Sequence, residues 1–267
     1  MNKITEFFNS VGTLDTETTG TKSDDDIIQL SILMKHNSED NYFTTLYKPN
    51  KLVPAECSAI HFISDEDLVD APTFAELAEP VSMLIDGFSY LIAHNSEFDR
   101  QMLANNYNRY HNKVPSNILD KTKWICTFKL AKKLFGQETE NFKNMQLSYL
   151  WFKFGLNKYC TRKITPHDAQ DDVYMCFKVL EHITNEFINR GEIDPNRDIG
   201  EQLYKICNTP CILEIYPYGK YKGTKFKDVV EKDMRYIEWM VKTSDLLDEN
   251  STSFDADFAA TIEYYVN

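Results

Sequence analysis

Short apolar runs predict four β-strands in the first hundred residues. The first covers residues 11–17 and ends in carboxylates, and residues 27–35 and 41–47 continue it as a meander. Residues 90–93 form a fourth strand that is apolar throughout. A meander followed by alternating helices and strands predicts an α/β fold with a mixed sheet.

Apolar residues spaced near 3.6 positions apart predict the helices. A short helix begins at Pro54 and Ala55, and another covers residues 233–242. Residues 107–123 are polar and rich in Asn, which predicts a long surface loop or a small insertion. The longer predicted helices cover residues 74–84, 96–106, 127–135, 145–154 and 168–187.

A turn-rich sequence, Gly-Glu-Ile-Asp-Pro-Asn-Arg, occupies residues 191–197 and predicts a domain boundary. We therefore expect one domain over residues 1–190 and a linker or helix over 191–210. A small C-terminal α/β module would then cover residues 211–267.

Composition places the chain among globular proteins, since 42% apolar residues suffice for a substantial core. No apolar run approaches the roughly 20 residues that a membrane helix needs. The first residues lack the basic and apolar regions of a secretion signal. Six cysteines without a C-x-x-C pair are typical of reduced thiols and disfavour a metal role for Cys207 and Cys211. We expect a soluble cytoplasmic protein with no membrane partner, in a bacterial cell or a phage-infected host.

The net charge of −12 conceals two basic regions. Residues 100–163 carry 13 basic and 3 acidic side chains, whereas the segments on either side are acidic. Four lysines also fall within residues 220–227 with Tyr and Phe around them. Such regions fit either solvated faces or a surface that follows a nucleic-acid backbone. In the second case the aromatic residues of 216–226 would stack on bases beside the lysines, whereas in a packed module they would form the core.

Asp15 and Glu17 lie two residues apart at the end of the first strand, so their side chains share one face. Paired carboxylates are hard oxygen ligands that suit Mg²⁺ or Mn²⁺. A surface pair at a strand end is the alternative for these two residues alone. Gly20 follows where the backbone turns tightly or a ligand approaches.

A second acidic site, His-Asn-Ser-Glu-Phe-Asp, follows the strand at 90–93 and ends at Asp99. Ser96 is the expected helix N-cap, and a carboxylate at Asp99 also fits a structural role in the first helical turn. A third site opens the helix that follows Pro166. There Asp168 is the expected N-cap, Asp171 takes the capping-box position, and Asp172 lies on a different face.

Together these sites place four carboxylates at strand ends and helix starts, which converge on one cleft in an α/β sheet. Four carboxylates around two divalent ions form a two-metal phosphodiester site. His167 precedes the third helix and is the candidate general base that takes a proton from the attacking water. The four carboxylates are Asp15, Glu17, Asp99 and Asp172.

The motifs resemble the DnaQ-like, DEDD-type 3′→5′ exonucleases. Residues 15–20 match D-x-E-T-x-G, residues 94–99 match H-N-x-x-F-D, and residues 167–172 match H-x-A-x-x-D. The third motif indicates the histidine subclass (DEDDh), because the tyrosine subclass has Tyr where this chain has Asp168. The resemblance implies a ribonuclease-H-like fold, with a five-stranded mixed sheet flanked by helices. It also implies that the four carboxylates bind two divalent cations, Mg²⁺ or alternatively Mn²⁺, and that His167 is the base.

Further segments resemble the exodeoxyribonuclease X-like members of this family. They include residues 59–64, 124–131, 144–147 and the lysine- and tyrosine-containing residues 218–223. The resemblance implies hydrolysis at DNA 3′ ends, single-stranded or duplex, with release of nucleoside 5′-monophosphates. The residues expected to contact substrate are Thr16, Thr18, Gly20, His61, His94, Asn95, Arg100, Lys220, Tyr221 and Lys222.

Two segments depart from the family pattern. The acidic run Asp24, Asp25 and Asp26 follows the first motif, where it would weaken DNA contact or alter strand separation. Residues 103–123 are longer than in the related enzymes and fit either a DNA-facing flap or a solvated loop.

Two other functions remain open from the sequence. One is an exoribonuclease with the same chemistry. The other is a catalytically idle module that binds nucleic acid, which a missing carboxylate would have favoured.

Overall fold

The computed structural model describes residues 2–36, 39–136, 141–248, 251 and 254–266. Its five-stranded sheet has the order β3-β2-β1-β4-β5. β1, β2 and β3 are antiparallel, and β4 and β5 join the sheet in parallel, so the predicted mixed sheet is confirmed. The strands are β1 Val11–Thr18, β2 Ile27–His36, β3 Glu39–Leu46, β4 Tyr90–Ala93 and β5 Trp124–Cys126.

Helices flank this sheet and continue to the end of the described chain. They are α1 Lys3–Ser10, α2 Ala55–His61, α3 Phe74–Asp86, α4 Ser96–Tyr110, α5 Ser116–Leu119, α6 Thr127–Phe135, α7 Leu147–Lys153, α8 Ala169–Asn189, α9 Ile199–Asn208, α10 Phe226–Lys232, α11 Met234–Thr243 and α12 Ala256–Val266. No helix within the described ranges is long and apolar enough to span a bilayer.

The main core forms where the central strands meet α3 and α4. Leu14, Leu30 and Leu91 lie in it with no exposed surface. α8 packs against β1 and β2 and buries Val173 and Phe177 along one side. Because β1 lies at the centre of the sheet, the carboxylates at its end are surrounded by neighbouring strands and helices.

The predicted loop at 107–123 is wrong at its start. α4 continues to Tyr110, because Tyr107 is fully buried and its hydroxyl donates to the carbonyl of Ala78 at 3.0 Å. Residues 116–119 then form α5, and β5 follows at Trp124. Alternation of polar and apolar residues cannot reveal a strand of three residues, so β5 was not located from the sequence pattern.

Two of the three acids in the run after the first motif are buried and paired within the protein. The expected effect of this run on DNA contact stays a prediction. Asp25 is 7% exposed and accepts hydrogen bonds from Lys51 (2.7 Å) and the Lys22 backbone. Asp26 is 2% exposed and pairs with Arg109 of α4. These two acids therefore stabilise the fold.

The chain divides into two compact units. The first comprises residues 1–134 and 143–207 and holds the sheet. The second comprises residues 135–142 and 208–267, and its core contains Tyr216, Phe226 and Phe258. Tyr216 and Phe226 have no exposed surface, so the expectation that the aromatic residues of 216–226 stack on bases is wrong for these two. The predicted boundaries at 190 and 210 stay predictions.

Candidate active site

The end of β1 carries the first two predicted ligands. Asp15 and Glu17 are both partly buried and lie opposite Ser31 and Gln29 of β2. Thr16 between them is buried and points to the other side of the strand. The alternation of the strand therefore places both carboxylates on one face.

Asp99 is fixed to β1 although it belongs to the first turn of α4. One of its carboxylate oxygens accepts the Thr16 backbone N–H at 3.1 Å and the Thr16 hydroxyl at 2.8 Å. The helix begins at Ser96, and Asn95 is the N-cap in the left-handed region with φ 71°. The predicted N-cap is thus one residue too late, while the position of Asp99 in the first turn is confirmed.

The segment before α8 holds Asp172 beside His167. The Asp168 side chain caps the helix by accepting from the Gln170 N–H at 3.0 Å, as predicted. The His167 backbone N–H donates to Asp172 Oδ2 at 3.1 Å. His167 itself has φ 63°, a left-handed conformation that costs a residue with a side chain free energy. The hydrogen bond from the His167 N–H to Asp172 helps to maintain this conformation.

Arg162 and Gln29, to which the sequence analysis assigned no role, help to hold this segment. Asp171 does not form the predicted capping box; it accepts the Thr165 N–H at 2.7 Å and pairs with Arg162. Gln29 of β2 accepts the Ala169 N–H at 3.1 Å. Gln29 is a buried polar residue in a mostly apolar strand, and this position was a signal that sequence reasoning missed.

Burial raises the pKa values of the four carboxyl groups. The pKa of Glu17 rises to about 8 through burial and the charges of Asp172 and Asp99. Burial likewise raises the pKa of Asp99 to about 7 and that of Asp172 to about 7. Burial and four neighbouring carboxylates, of which Asp99 acts most strongly, raise the pKa of Asp15 well above its usual value. Among the described residues, no Lys or Arg offsets the charge of these four acids. Such a cluster favours protons or a bound cation.

Three side chains also have the spacing of a metal site. One ligand atom each of Glu17, His167 and Asp172 lies within 4.8 Å of the other two. Asp15 and Asp99 lie outside that group but interact electrostatically with its acids. The structure therefore brings the predicted carboxylates and His167 together at one edge of the sheet.

A cavity of about 480 Å³ opens at this edge. The His94 ring borders it and is fixed on both sides: Nε2 donates to the Met145 carbonyl at 2.8 Å, so Nδ1 accepts from the Thr127 hydroxyl at 2.9 Å. Burial lowers the pKa of His94 to about 4, which keeps the ring neutral. The cavity is lined by Asp15, His94, Asn95, Phe128, Gln146, Leu147, Ser148, Pro166, His167 and Asp172.

The other predicted substrate residues of the first unit have protein partners. Arg100 binds Glu97 through two nitrogens, at 3.0 and 2.6 Å, so its charge is balanced within the protein. The Thr18 hydroxyl donates to the Gly20 carbonyl at 2.6 Å. His61 is 6% exposed, and its Nδ1 accepts the Ile63 N–H at 3.1 Å.

The predicted substrate residues of the second unit belong to a small polar cluster. Lys220 Nζ lies 3.1 Å from Asp233 Oδ2, and the Tyr221 hydroxyl donates to the same oxygen at 2.7 Å. Lys222 is exposed. Sequence alone did not show that Asp233 engages two of these three residues.

A carboxylate cluster with an adjacent histidine, at the edge of a mixed sheet, is typical of metal-dependent nucleases. The chain belongs to the family described as Exonuclease (RNase_T), whose model matches residues 13–180. A second model, Exodeoxyribonuclease X-like C-terminal, matches residues 218–245. The predicted DnaQ-like family and 3′→5′ exonuclease class are thereby confirmed.

Among curated proteins, Exodeoxyribonuclease 10 of Escherichia coli (strain K12) is 26% identical over 262 residues, covering 95% of this chain and 97% of the relative. DNA polymerase III subunit epsilon of Treponema pallidum (strain Nichols) is 29% identical over 171 residues, covering 62% and 72%. A solved structure of Exonuclease X in complex with 5′ overhanging duplex DNA shares the fold, with a TM-score of 0.51 and 23% identity over 74% of this chain and 99% of that one.

Proposed function

We propose that this chain is a metal-dependent 3′→5′ exodeoxyribonuclease that releases nucleoside 5′-monophosphates from DNA 3′ ends. The observation that carries the proposal is the convergence of four acids of raised pKa with His167 at one sheet edge. A structural cluster would pair these acids with Lys or Arg, as Asp25 and Asp26 are paired elsewhere in the first unit.

The donor set fits two divalent cations, Mg²⁺ or alternatively Mn²⁺, because it consists of carboxylate oxygens that neutralise a cation. Asp15, Glu17, Asp99 and Asp172 would hold the ions. Bound ions supply stabilisation of charge on the phosphate and a lower pKa for the attacking water. We expect no activity without them.

His167 acts as the general base in this proposal. Its side chain is exposed at the cavity and lies within 4.8 Å of Glu17 and Asp172. An imidazole there can take the proton of the attacking water and deliver it to solvent. The Asp172 carboxylate holds the His167 backbone and so orients the ring.

We assign the substrate contacts of the first unit to the cavity and its surroundings. Asn95 lines the cavity with an exposed side chain and no capping bond, which leaves its amide available to the terminal nucleotide. His61 is buried near Thr18 and His167, which fits a floor beneath the terminal base. Arg100 contacts a phosphate only if it leaves Glu97. The remaining proposed contacts are Thr16, Thr18, Gly20 and His94 in the first unit and Lys220, Tyr221 and Lys222 in the second.

DNA is preferred to RNA because the similarity to Exodeoxyribonuclease 10 extends over 95% of the chain and includes the second unit. Single-stranded ends are the favoured substrate and duplex ends are accepted. The proposed location is the cytoplasm of a bacterium or a phage-infected host.

The test is digestion of 5′-labelled single-stranded DNA and matched RNA with Mg²⁺, comparing the wild type with Asp15→Ala. Asp24→Ala is the matched control, since Asp24 is an exposed acid near the same motif. We expect DNA to shorten from its 3′ end with the wild type and with the control. We expect no shortening with Asp15→Ala, or with the wild type in the presence of chelator. Shortening of RNA alone would favour the exoribonuclease. Binding of DNA without cleavage in Mg²⁺ or Mn²⁺ would favour the idle module.

A further inference from the structure

The second unit exposes a tryptophan between two basic residues. α11 buries Ile237 and Met240 on one side. On the opposite side Arg235, Trp239 and Lys242 are exposed at positions i, i+4 and i+7, which lie on one helix face. We call these three residues the Trp239 face.

The exposure of Trp239 differs from that of the other tryptophans. Trp124 is 5% exposed and Trp151 is 2% exposed, whereas Trp239 is 54% exposed. A large aromatic surface left in water costs free energy, so an exposed tryptophan often marks a binding site. This makes Trp239 a candidate contact for a flat ligand.

The indole is held in place by its neighbours. Its ring lies 5.5 Å from the Tyr236 ring, at 36° between the planes. The Tyr236 hydroxyl accepts the Lys220 backbone N–H at 3.3 Å, and a side chain on Gly219 would collide with that hydroxyl. Tyr236 therefore fixes one side of Trp239, which lowers the entropy cost of binding on the other.

The charge around this face is suited to an anion. No contact in the described chain pairs Arg235 or Lys242 with an acid, and Glu238 is the one acidic residue in the sequence of α11. Lys222 and Lys225 of the same unit are also exposed. Asp233, the nearest acid before the helix, is already bound by Lys220 and Tyr221.

We infer that the Trp239 face binds single-stranded DNA, with Trp239 stacked on a base and Arg235 and Lys242 on phosphates. Alternation of an aromatic ring with cations is the arrangement that recognises single strands without reading their sequence. The inference goes beyond the proposed function, since it assigns a DNA-binding site that contains none of the catalytic residues. It replaces Tyr216 and Phe226, which are buried, as the source of stacking.

The test uses the full chain with chelator, so that DNA is bound and not cleaved. Because the other two tryptophans are buried, iodide reaches Trp239 selectively, so the part of the tryptophan fluorescence that iodide quenches reports on Trp239. Titration with oligo-dT should quench it, and iodide should quench it less once DNA is bound. Trp239→Ala should weaken binding by about 5- to 150-fold, and Trp239→Phe should weaken it less. Arg235→Ala with Lys242→Ala should lower the slope of log affinity against log salt by about 1.4.

Tyr264→Ala is the matched control, because Tyr264 is an exposed aromatic residue of the same unit, 67% exposed. It should bind oligo-dT like the wild type. Hydrolysis of a small activated thymidine 5′-phosphodiester reports the active site separately and should be unchanged in Trp239→Ala.

Failure of this inference is distinguishable from failure of the proposed function. Quenching by DNA without any hydrolysis would leave the inference standing and overturn the exonuclease proposal. Normal hydrolysis with no quenching, or with equal DNA affinity in Trp239→Ala, would overturn the inference alone. Self-association that Trp239→Ala abolishes, without a change in DNA affinity, would assign the face to a second copy of the chain.

Discussion

Thr16 holds Asp99 by two hydrogen bonds to one carboxylate oxygen, although the two residues are 83 positions apart. Thr16 lies between Asp15 and Glu17, so the strand that carries two of the acids also fixes the third. Burial raises the pKa of Asp99, and the bonds from Thr16 oppose that rise. The middle residue of the D-x-E motif thus fixes the position of Asp99 and limits the rise of its pKa.

Thr16→Val should reduce activity about 10- to 100-fold, because it removes the hydroxyl that orients a proposed metal ligand. The Mg²⁺ concentration at half-maximal activity should rise, which titration with Mg²⁺ measures. Thr13→Val is the matched control on β1: Thr13 is fully buried, and its hydroxyl has no hydrogen-bond partner among the described residues. Equal activity of the two variants would contradict a role for the Thr16 hydroxyl.

Without metal, the site should make the fold less stable as pH rises. Glu17, Asp99 and Asp172 have folded pKa values of about 8, 7 and 7, all above those of an unfolded chain. Their contribution is therefore complete below about pH 4 and is lost as pH rises through about 7 to 8. Glu17→Gln should melt at a higher temperature than the wild type at about pH 8 with chelator.

Metal should reverse this trend, since a cation binds the ionised carboxylates. Mn²⁺ should raise the melting temperature more at about pH 8 than at about pH 6, and Glu17→Gln should gain less than the wild type. Thermal denaturation with chelator and with Mn²⁺ measures both effects. A stabilisation that is the same at both pH values would count against metal binding by these acids.

Asp171 should act as a positioning residue for His167. It holds the Thr165 N–H at 2.7 Å and pairs with Arg162, which fixes the segment before α8. Asp171→Ala should lower kcat about tenfold with little change in KM, because the proposed base moves while the substrate contacts remain. Asp168→Asn should leave kcat unchanged, since Asn caps a helix as well as Asp. A rise in KM alone would refute the positioning role.

His167→Gly should separate activity from stability. Glycine adopts φ 63° without steric strain. The free energy of unfolding should therefore fall only slightly or rise by up to about 1 kcal/mol. Loss of the proposed general base should lower kcat by about 10²- to 10⁴-fold. Urea denaturation tests the expected stability, and steady-state kinetics test the expected loss of kcat. Strong destabilisation would show that the imidazole supports the fold.

Arg109→Ala should destabilise the protein by about 3 kcal/mol, because it leaves the buried carboxylate of Asp26 without its ion pair. Catalysis on single strands should persist in the protein that remains folded. Asp24→Asn should change stability by no more than about 0.5 kcal/mol, as Asp24 is exposed. Urea denaturation compares the two variants. Loss of DNA binding in Arg109→Ala at full stability would favour the DNA-facing interpretation of residues 103–123.

Much of the fold could be predicted from local pattern. β4 and α6 have the predicted bounds, and α3 and α8 differ by a few residues at their ends. Apolar periodicity reports which face a segment buries, and that is a local property. β5 has three residues, and the end of α4 is polar apart from Tyr107 and Tyr110, so periodicity contained no clear signal for either.

The sequence by itself determined which residues are candidates for the site, because residue types at fixed spacing in three motifs define the four acids and His167 as one set. Only the tertiary structure decided which charged side chains form ion pairs and which aromatic side chains are buried. The pairing of Arg100 with Glu97 and of Arg109 with Asp26, and the burial of Tyr216, depend on the positions of side chains after packing. A charge count along the chain contains no information about distance in space, and ion pairs and burial both depend on that distance.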